Sequence, residues 1–376
     1  MTFRRSAPAA LIAAVCVVVA GLTFLSNRLF SGLTEAVEAS QFQLMQSILE
    51  TALRDAADQA LARAEIIAAL PTTKQAVAAK DRDRLVAEFA EAFAIQKNRH
   101  GIDQAQFHVP PAQSLLRLHN PPVFGDDLTR FRPMVVAANR DQAAREGLAI
   151  ARGGPAIFGV APINDPQGKF AGTFEFGLAF DPILDSLKAA YNLDFSLFVE
   201  EKPLREFARG LNPAMLSDQN RVGRFIRFHT TNIDLMRELA GDADIAAVNE
   251  PARYTRDAQG HTFGVLLVPL RDAAGVPLGV VAVARDFSGS RAAGARSLVW
   301  QFALAVFAIV ILSAVAIVVI RGFLVRPLAV ITARLAARAA GETVEPLDGT
   351  EKFCPEIQKI AQLSGLAPPP GRGITP

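Results

Sequence analysis

Residues 162–172, PINDPQGKFAG, return as residues 269–279, PLRDAAGVPLG, and this recurrence decides how the chain is read. Both copies follow P-[IL]-x-D-x-x-G-x-x-x-G and both lie between apolar runs. The Asp and the first Gly of each copy form a hairpin turn, and the second Gly falls in the returning strand, where a missing Cβ admits a close neighbour. Phe158-Gly159-Val160 and Phe263-Gly264-Val265 precede the two copies in turn. One such hairpin is common in β proteins. Two in corresponding places predict two similar α/β modules in tandem.

Outward from the first copy, residues 147–152, 156–163 and 169–180 read as strands, separated by Gly153-Gly154 and by the turn. In the last of these, Phe170, Phe174, Phe176 and Phe180 share one parity, which predicts packing on helices. The other parity carries Ala171, Thr173, Gly177 and Ala179 around a single carboxylate, Glu175. Small residues there leave room above the sheet, as a strand flooring a ligand cavity would. Residues 104–109 alternate in the same way, with Gln104, Gln106 and His108 on one face. A helix is expected over 81–97, and another through Asn139, capped by Asp126 or Asp127 with Pro133 in its first turn. Residues 31–70 lack proline and are rich in Ala, Glu, Gln and Leu. With an apolar stripe at Leu49, Leu53, Ala57 and Leu61, they predict one long helix ahead of the modules.

The second module takes residues 194–200, 224–230, 261–270 and 276–287 as strands and 232–248 as a helix. Its last strand leads almost directly into a hydrophobic span at 298–320, and a first span occupies 7–26. A run of some 20 apolar residues suffices to cross a bilayer core. The spans account for a hydrophobic fraction of 51% and a mean hydropathy of +0.24. Arg4 and Arg5 precede the first span, and Arg321, Arg326, Arg334 and Arg338 follow the second. The positive-inside rule then places both termini in the cytoplasm and residues 27–297 outside. The expected order is a short cytoplasmic start (1–6), span, distal module (81–192), proximal module (193–287), span, linker (321–363) and disordered tail (364–376). A net charge of +2 implies no nucleic-acid partner. The two cysteines, Cys16 and Cys354, fall in different compartments on this layout and show no metal-binding or haem spacing.

Residues 107–139, FHVPPAQSLLRLHNPPVFGDDLTRFRPMVVAAN, interleave charge with apolar residues and read as a recognition wall. Two spans, a long first helix and tandem modules feeding the second span resemble the double Cache sensory domains of bacterial receptors. Phe107-His108, Pro111, Ser114, Leu116-Arg117, His119, Phe124-Gly125-Asp126-Asp127-Leu128, Phe131-Arg132, Arg152-Gly153-Gly154 and Glu175-Phe176-Gly177 look like the third double Cache subtype, over roughly residues 41–287. Beyond the second span, Arg326-Pro327-Leu328, Ile331, Leu335 and Gly341-Glu342 are similar to the first helix of a HAMP linker. The second HAMP helix is matched only by a short apolar stripe at Ile357, Ile360 and Leu363.

The resemblance implies an α+β fold, with two PAS-like antiparallel-sheet modules behind a long helix and between two transmembrane helices. It implies a small ligand in the distal module and points to Phe107, His108, Arg117, His119, Asp126, Asp127, Arg132 and Glu175. Arginine can hold a carboxylate bidentately and Asp or Glu an amine, which suits an organic acid or an amino-acid-like ligand. The expected protein is a non-enzymatic, homodimeric inner-membrane receptor without cofactor or metal. The segment past the second span is too short for a kinase, cyclase or chemoreceptor output domain and contains no histidine. Output would therefore pass to a separate cytoplasmic partner. The competing expectation is a membrane scaffold or regulatory subunit docking a periplasmic protein, and a third is the remnant of a longer receptor.

Overall fold

The computed structural model describes residues 3–347 and 349–366. They form two compact units, one of residues 36–289 and one of the chain's two ends, up to residue 35 and from residue 290.

The chain opens with helix α1 (Phe3–Ala69), followed by α2 (Pro71–Ala79) and α3 (Arg82–His100). Asp81 caps α3, accepting from the Arg84 amide at 3.1 Å. The first sheet is built from β1 (Ile102–Val109), β2 (Gln113–Arg117), then after α4 (Pro133–Asp141) β3 (Arg145–Ala151), β4 (Gly154–Asn164) and β5 (Phe170–Ala179). All its pairings are antiparallel, in the order β2-β1-β5-β4-β3. Helix α5 (Phe180–Tyr191) leads to β6 (Asp194–Glu200), α6 (Glu201–Phe207), β7 (Arg221–Val222), β8 (Phe225–Thr230), α7 (Ile233–Leu239), α8 (Asp242–Ala246), β9 (Ala252–Ala258), β10 (His261–Arg271) and β11 (Pro277–Asp286). The second sheet runs β7-β8-β6-β11-β10-β9. Apart from β7, the two sheets have the same order and connectivity.

The repeated motif forms the same structure twice. Asp165 accepts from the Gln167 and Lys169 amides at 2.9 and 2.8 Å, and Asp272 from the Ala274 and Val276 amides at 2.9 and 2.8 Å. Gly168 and Gly275 close the two turns at φ +86° and +82°. In the returning strands a Cβ on Gly172 would stand 2.1 Å from the His108 carbonyl oxygen, and one on Gly279 would stand 2.0 Å from that of Phe198. Glycine is required there by close approach of the neighbouring strand.

The aromatic parity of β5 faces helices, as expected. Phe174, Phe176 and Leu178 share a core with Phe107 of β1, Leu85, Phe89 and Phe93 of α3, and Ala60, Ala64 and Ala68 of α1. The long helix therefore presents alanines to the first sheet, and Gly159 of β4 meets its backbone at Ala60 and Leu61. Earlier in the same helix, Phe42, Met45, Leu49 and Ala57 pack with Phe195, Leu197, Val281 and Phe287 of the second module. Burying each such large side chain contributes about 2 kcal/mol. In the second module, the sheet face under α7 and α8 is filled by Phe198, Leu235, Met236, Leu239 and Ile245.

Several expected boundaries differ. Phe180 starts α5 rather than ending β5, and the helix expected over 232–248 breaks at Ala240-Gly241 into α7 and α8. Neither Asp126 nor Asp127 caps α4; Arg132 occupies its N-cap position, and Pro133 opens the helix without a side-chain cap.

In the other unit, α9 (Ser288–Val319) continues through a π-helical turn (Ile320–Val325) into α10 (Arg326–Ala339), with α11 (Pro355–Leu363) beyond. The helices containing residues 9–69 and 288–339 each hold a stretch long and apolar enough to cross a membrane. Ile331 of α10 packs with Ile357 and Ala361 of α11, while Ile360 and Leu363 of the expected stripe are exposed. Leu366, within the expected tail, joins this small core, and its carbonyl accepts from the Leu347 amide at 2.7 Å. The rest of the expected disordered tail lies outside the described residues.

Candidate functional site

The polar faces of β1 and β5 are in register. Gln106 pairs with Glu175 and His108 with Thr173. The strand pattern therefore sets His108, Thr173 and Glu175 side by side on the face away from α1 to α3, under α4. His108 Nδ1 lies 3.2 Å from the Thr173 hydroxyl, which also accepts from Asn139 Nδ2 of α4 at 3.0 Å. At the start of α4, the Arg132 guanidinium forms an ion pair with Glu175 and lies 4.3 Å from the centre of the Phe158 ring. Gly177 makes room for that ring, since a Cβ there would come within 2.4 Å of it. The Glu-Phe-Gly sequence of β5 thus supplies a carboxylate on one face, a core ring on the other and space for the aromatic platform beneath the arginine.

Burial governs the protonation states. It drives the His108 imidazole well below its ordinary pKa, reinforced by the positive charges of Arg132 and Arg117, so His108 is neutral at physiological pH. Its Nε2 stands 3.6 Å from Glu175, too far for a hydrogen bond, and with the ring neutral the contact is not an ion pair. Burial also lowers Arg132 to about 9, which leaves it charged. The Arg132 Nε has no hydrogen-bond partner among the described residues.

Beside this network the loop after β2 folds back. The Gly125 amide donates to the Ser114 carbonyl at 2.8 Å, and the Ser114 amide donates to the Asp126 carbonyl at 3.0 Å. Asp126 is thereby held against Arg117, whose Nη1 and Nη2 donate to its two carboxylate oxygens at 2.6 and 2.7 Å. Arg117 also donates to the Val123 carbonyl at 3.0 Å, and its hydrogen bonds keep the Asp126 pKa low. His119 is held down to about 4, chiefly by burial.

These groups surround a cavity of about 80 Å³, walled by Arg117, His119, Asp126 and Arg132. The wall also includes Gln104, Gln106, Phe131, Arg152, Phe207 and Arg209, none of them among the eight candidates named from sequence. Gln104 and Gln106 share the parity of His108 and were within reach of strand periodicity. Phe207 and Arg209 follow from no local pattern, because they come from the second module. Arg209 lies 4.9 Å over Phe131, and Phe131 meets Phe207 edge-on at 6.0 Å.

The eight candidates are therefore distributed unevenly. Arg117, His119, Asp126 and Arg132 line the cavity, with Glu175 and His108 buried beside Arg132. Phe107 lies on the other face of β1, its ring 4.5 Å from Phe174 in the helix-covered core. Asp127 is exposed and accepts from the Thr129 amide at 2.9 Å, which makes it a turn residue.

Two antiparallel modules of one design strung on a long helix, one with a polar cavity over its sheet and the other filled, define a double-module sensory domain. The chain belongs to the double Cache family described as the double sensory domain of two-component sensor kinases, whose model matches residues 37–289. The helices beyond residue 289 lie outside that match.

Among solved structures the chain is similar to the ligand-binding domain of the Campylobacter jejuni chemoreceptor Tlp3 in complex with 4-methylisoleucine. The identity is 9%, over 68% of this chain and 92% of that one, with a TM-score of 0.41. It is also similar to the periplasmic domain of Vibrio cholerae LuxQ (13% identity, 66% and 99% covered, TM-score 0.37). A third is an extracellular ligand-binding receptor from Desulfohalobium retbaense DSM5692 (14% identity, TM-score 0.38), where the match covers 65% of this chain and only 40% of that receptor's length. No curated protein sequence matches the chain.

Proposed function

We propose that this protein is a transmembrane receptor that binds a small anionic ligand outside the cytoplasm, in the cavity of its first, membrane-distal module. The carrying observation is the charge of the cavity wall, where four arginines face one carboxylate, Asp126. Glu175 beside Arg132 still leaves the positive side in excess. Guanidinium groups gathered over a sheet favour a carboxylate-bearing solute, an organic acid or an amino acid held by its carboxylate. Recognition without catalysis fits these groups. The two histidines are held neutral by burial, and the carboxylates are committed to arginines.

Signal transfer is assigned to the helix that follows the second module. Between the end of β11 at Asp286 and the start of α9 at Ser288 there is no flexible linker. Asp286 accepts from the Ser288 amide at 2.7 Å, and the Ser288 hydroxyl accepts from the Thr262 amide of β10 at 2.9 Å. A shift of the second sheet would therefore be delivered to the second span, and from there to the HAMP-like α10 on the cytoplasmic side, in a homodimer within the bacterial inner membrane.

Isothermal titration of the full chain in lipid nanodiscs against organic-acid and amino-acid libraries tests the reading. The expected result is saturable binding of one or more carboxylates, lost in R132Q. A folded protein that binds no member of either library would overturn it.

A further inference from the structure

We propose that the ligand is a short dicarboxylate, and that Arg152 and Arg209, from different modules, hold its second carboxylate. This rests on the cavity being an anion site, as above. The four arginines of the wall are not equivalent. Arg117 is committed to Asp126 and the Val123 carbonyl. Arg132 is committed to Glu175 and the face of Phe158, and lines the inner part of the cavity, where it would meet one ligand carboxylate.

Arg152 and Arg209 form no ion pair among the described residues. Arg209 donates only a long bond to the Glu206 carbonyl at 3.4 Å and stacks over Phe131. The chain brings these two residues together at one junction. The Gly210 amide donates to the Arg152 carbonyl at 2.8 Å, and a Cβ on Gly210 would stand 3.1 Å from Arg152 Cγ. Two exposed cations thus line a cavity whose other two arginines already have partners. A ligand with one negative charge satisfies the inner site alone, whereas a second carboxylate relieves the repulsion between the exposed pair.

The size agrees. A cavity of about 80 Å³ holds roughly five to eight water-sized groups, close to the non-hydrogen atom count of a short aliphatic diacid. Because Arg209 and Phe207 belong to the second module, such a ligand would tie the two modules together. Arg209 is thereby a specificity-determining residue and the first point at which the second module senses occupancy.

The test is titration of the full chain in nanodiscs with malonate, succinate and glutarate against propionate, butyrate and valerate, and with inorganic phosphate. At least one diacid should bind tenfold or more tighter than the monoacid of equal length, as a charge-assisted pair is worth about that much or more. R209Q and R152Q, at exposed positions where the fold should be kept, should each erase this preference, lowering diacid affinity by at least tenfold more than the affinity for the monoacid of equal length. Equal binding of diacids and monoacids, a preference that survives both substitutions, or phosphate binding as tightly as the best diacid would each overturn the dicarboxylate assignment while leaving an anion site. No binding of any of these anions by the folded protein would overturn the anion site itself.

Discussion

Arg132 concentrates the energetics of the site. It is buried and charged, and among the described residues it is served by a single carboxylate, Glu175, which is itself buried. Removing one partner of such a pair is far more costly than removing both, since the survivor keeps its desolvation penalty without compensation. E175Q should therefore lower stability by about 3–5 kcal/mol, seen as an earlier midpoint in urea denaturation followed by circular dichroism. The double variant R132M/E175L should recover most of that loss, because Met and Leu suit the apolar surface of Phe158 and Val160, yet it should bind no carboxylate. A shift of less than about 1 kcal/mol in E175Q would mean that Glu175 does not carry the counter-charge. Sequence parity singled out Glu175 on the small-residue face of β5 and expected it to floor a cavity, whereas the structure buries it beside Arg132 and lines the cavity from β1, β2, β3 and the loops. Parity did not identify Arg132 as its partner, because that pairing depends on where α4 begins.

At the scale of elements, the repeated hairpin separates two kinds of glycine. Gly172 and Gly279 face a carbonyl oxygen of the adjacent strand, and backbone cannot retreat without breaking the ladder. Gly168 and Gly275 have open space and only a positive φ to lose. G172A and G279A should each destabilise by about 3 kcal/mol or more, at the upper end of overpacking, and G168A and G275A by about 1–2 kcal/mol. Urea denaturation of the four variants checks the order, and turn glycines that prove costlier than strand glycines would refute it. This much of the fold was legible because turn chemistry and strand parity are local. What depends on tertiary context was not. Edge strand β9 exposes or half-exposes most of its side chains and lacks an apolar face to announce it. The start of α4 lies at Arg132-Pro133 rather than at the aspartates, which are taken by Arg117 and by the Thr129 turn. The outer wall of the cavity joins Phe131 to Phe207 and Arg209 across two modules, and no spacing in the sequence connects them.

For the molecule as a whole, the proposed mechanism requires the cavity and the helices that follow the second apolar stretch to lie on opposite sides of a membrane. The sequence argument is the distribution of arginine. Arg4 and Arg5 precede the first apolar stretch, and Arg321, Arg326, Arg334 and Arg338 follow the second. Each arginine retained on the cytoplasmic side opposes translocation of its flank, and the long intervening segment is translocated largely irrespective of its own charge. Cysteine accessibility tests this directly. In a background with Cys16 and Cys354 replaced by Ser, Q167C reports on the exposed first hairpin turn and E342C on the exposed segment just after α10. A membrane-impermeant maleimide applied to intact spheroplasts should label Q167C and spare E342C, and permeabilisation should make both reactive. Labelling of E342C before permeabilisation, or protection of Q167C, would place the two sites otherwise. Ligand capture at the cavity could then not be an extracytoplasmic event reported through the second span.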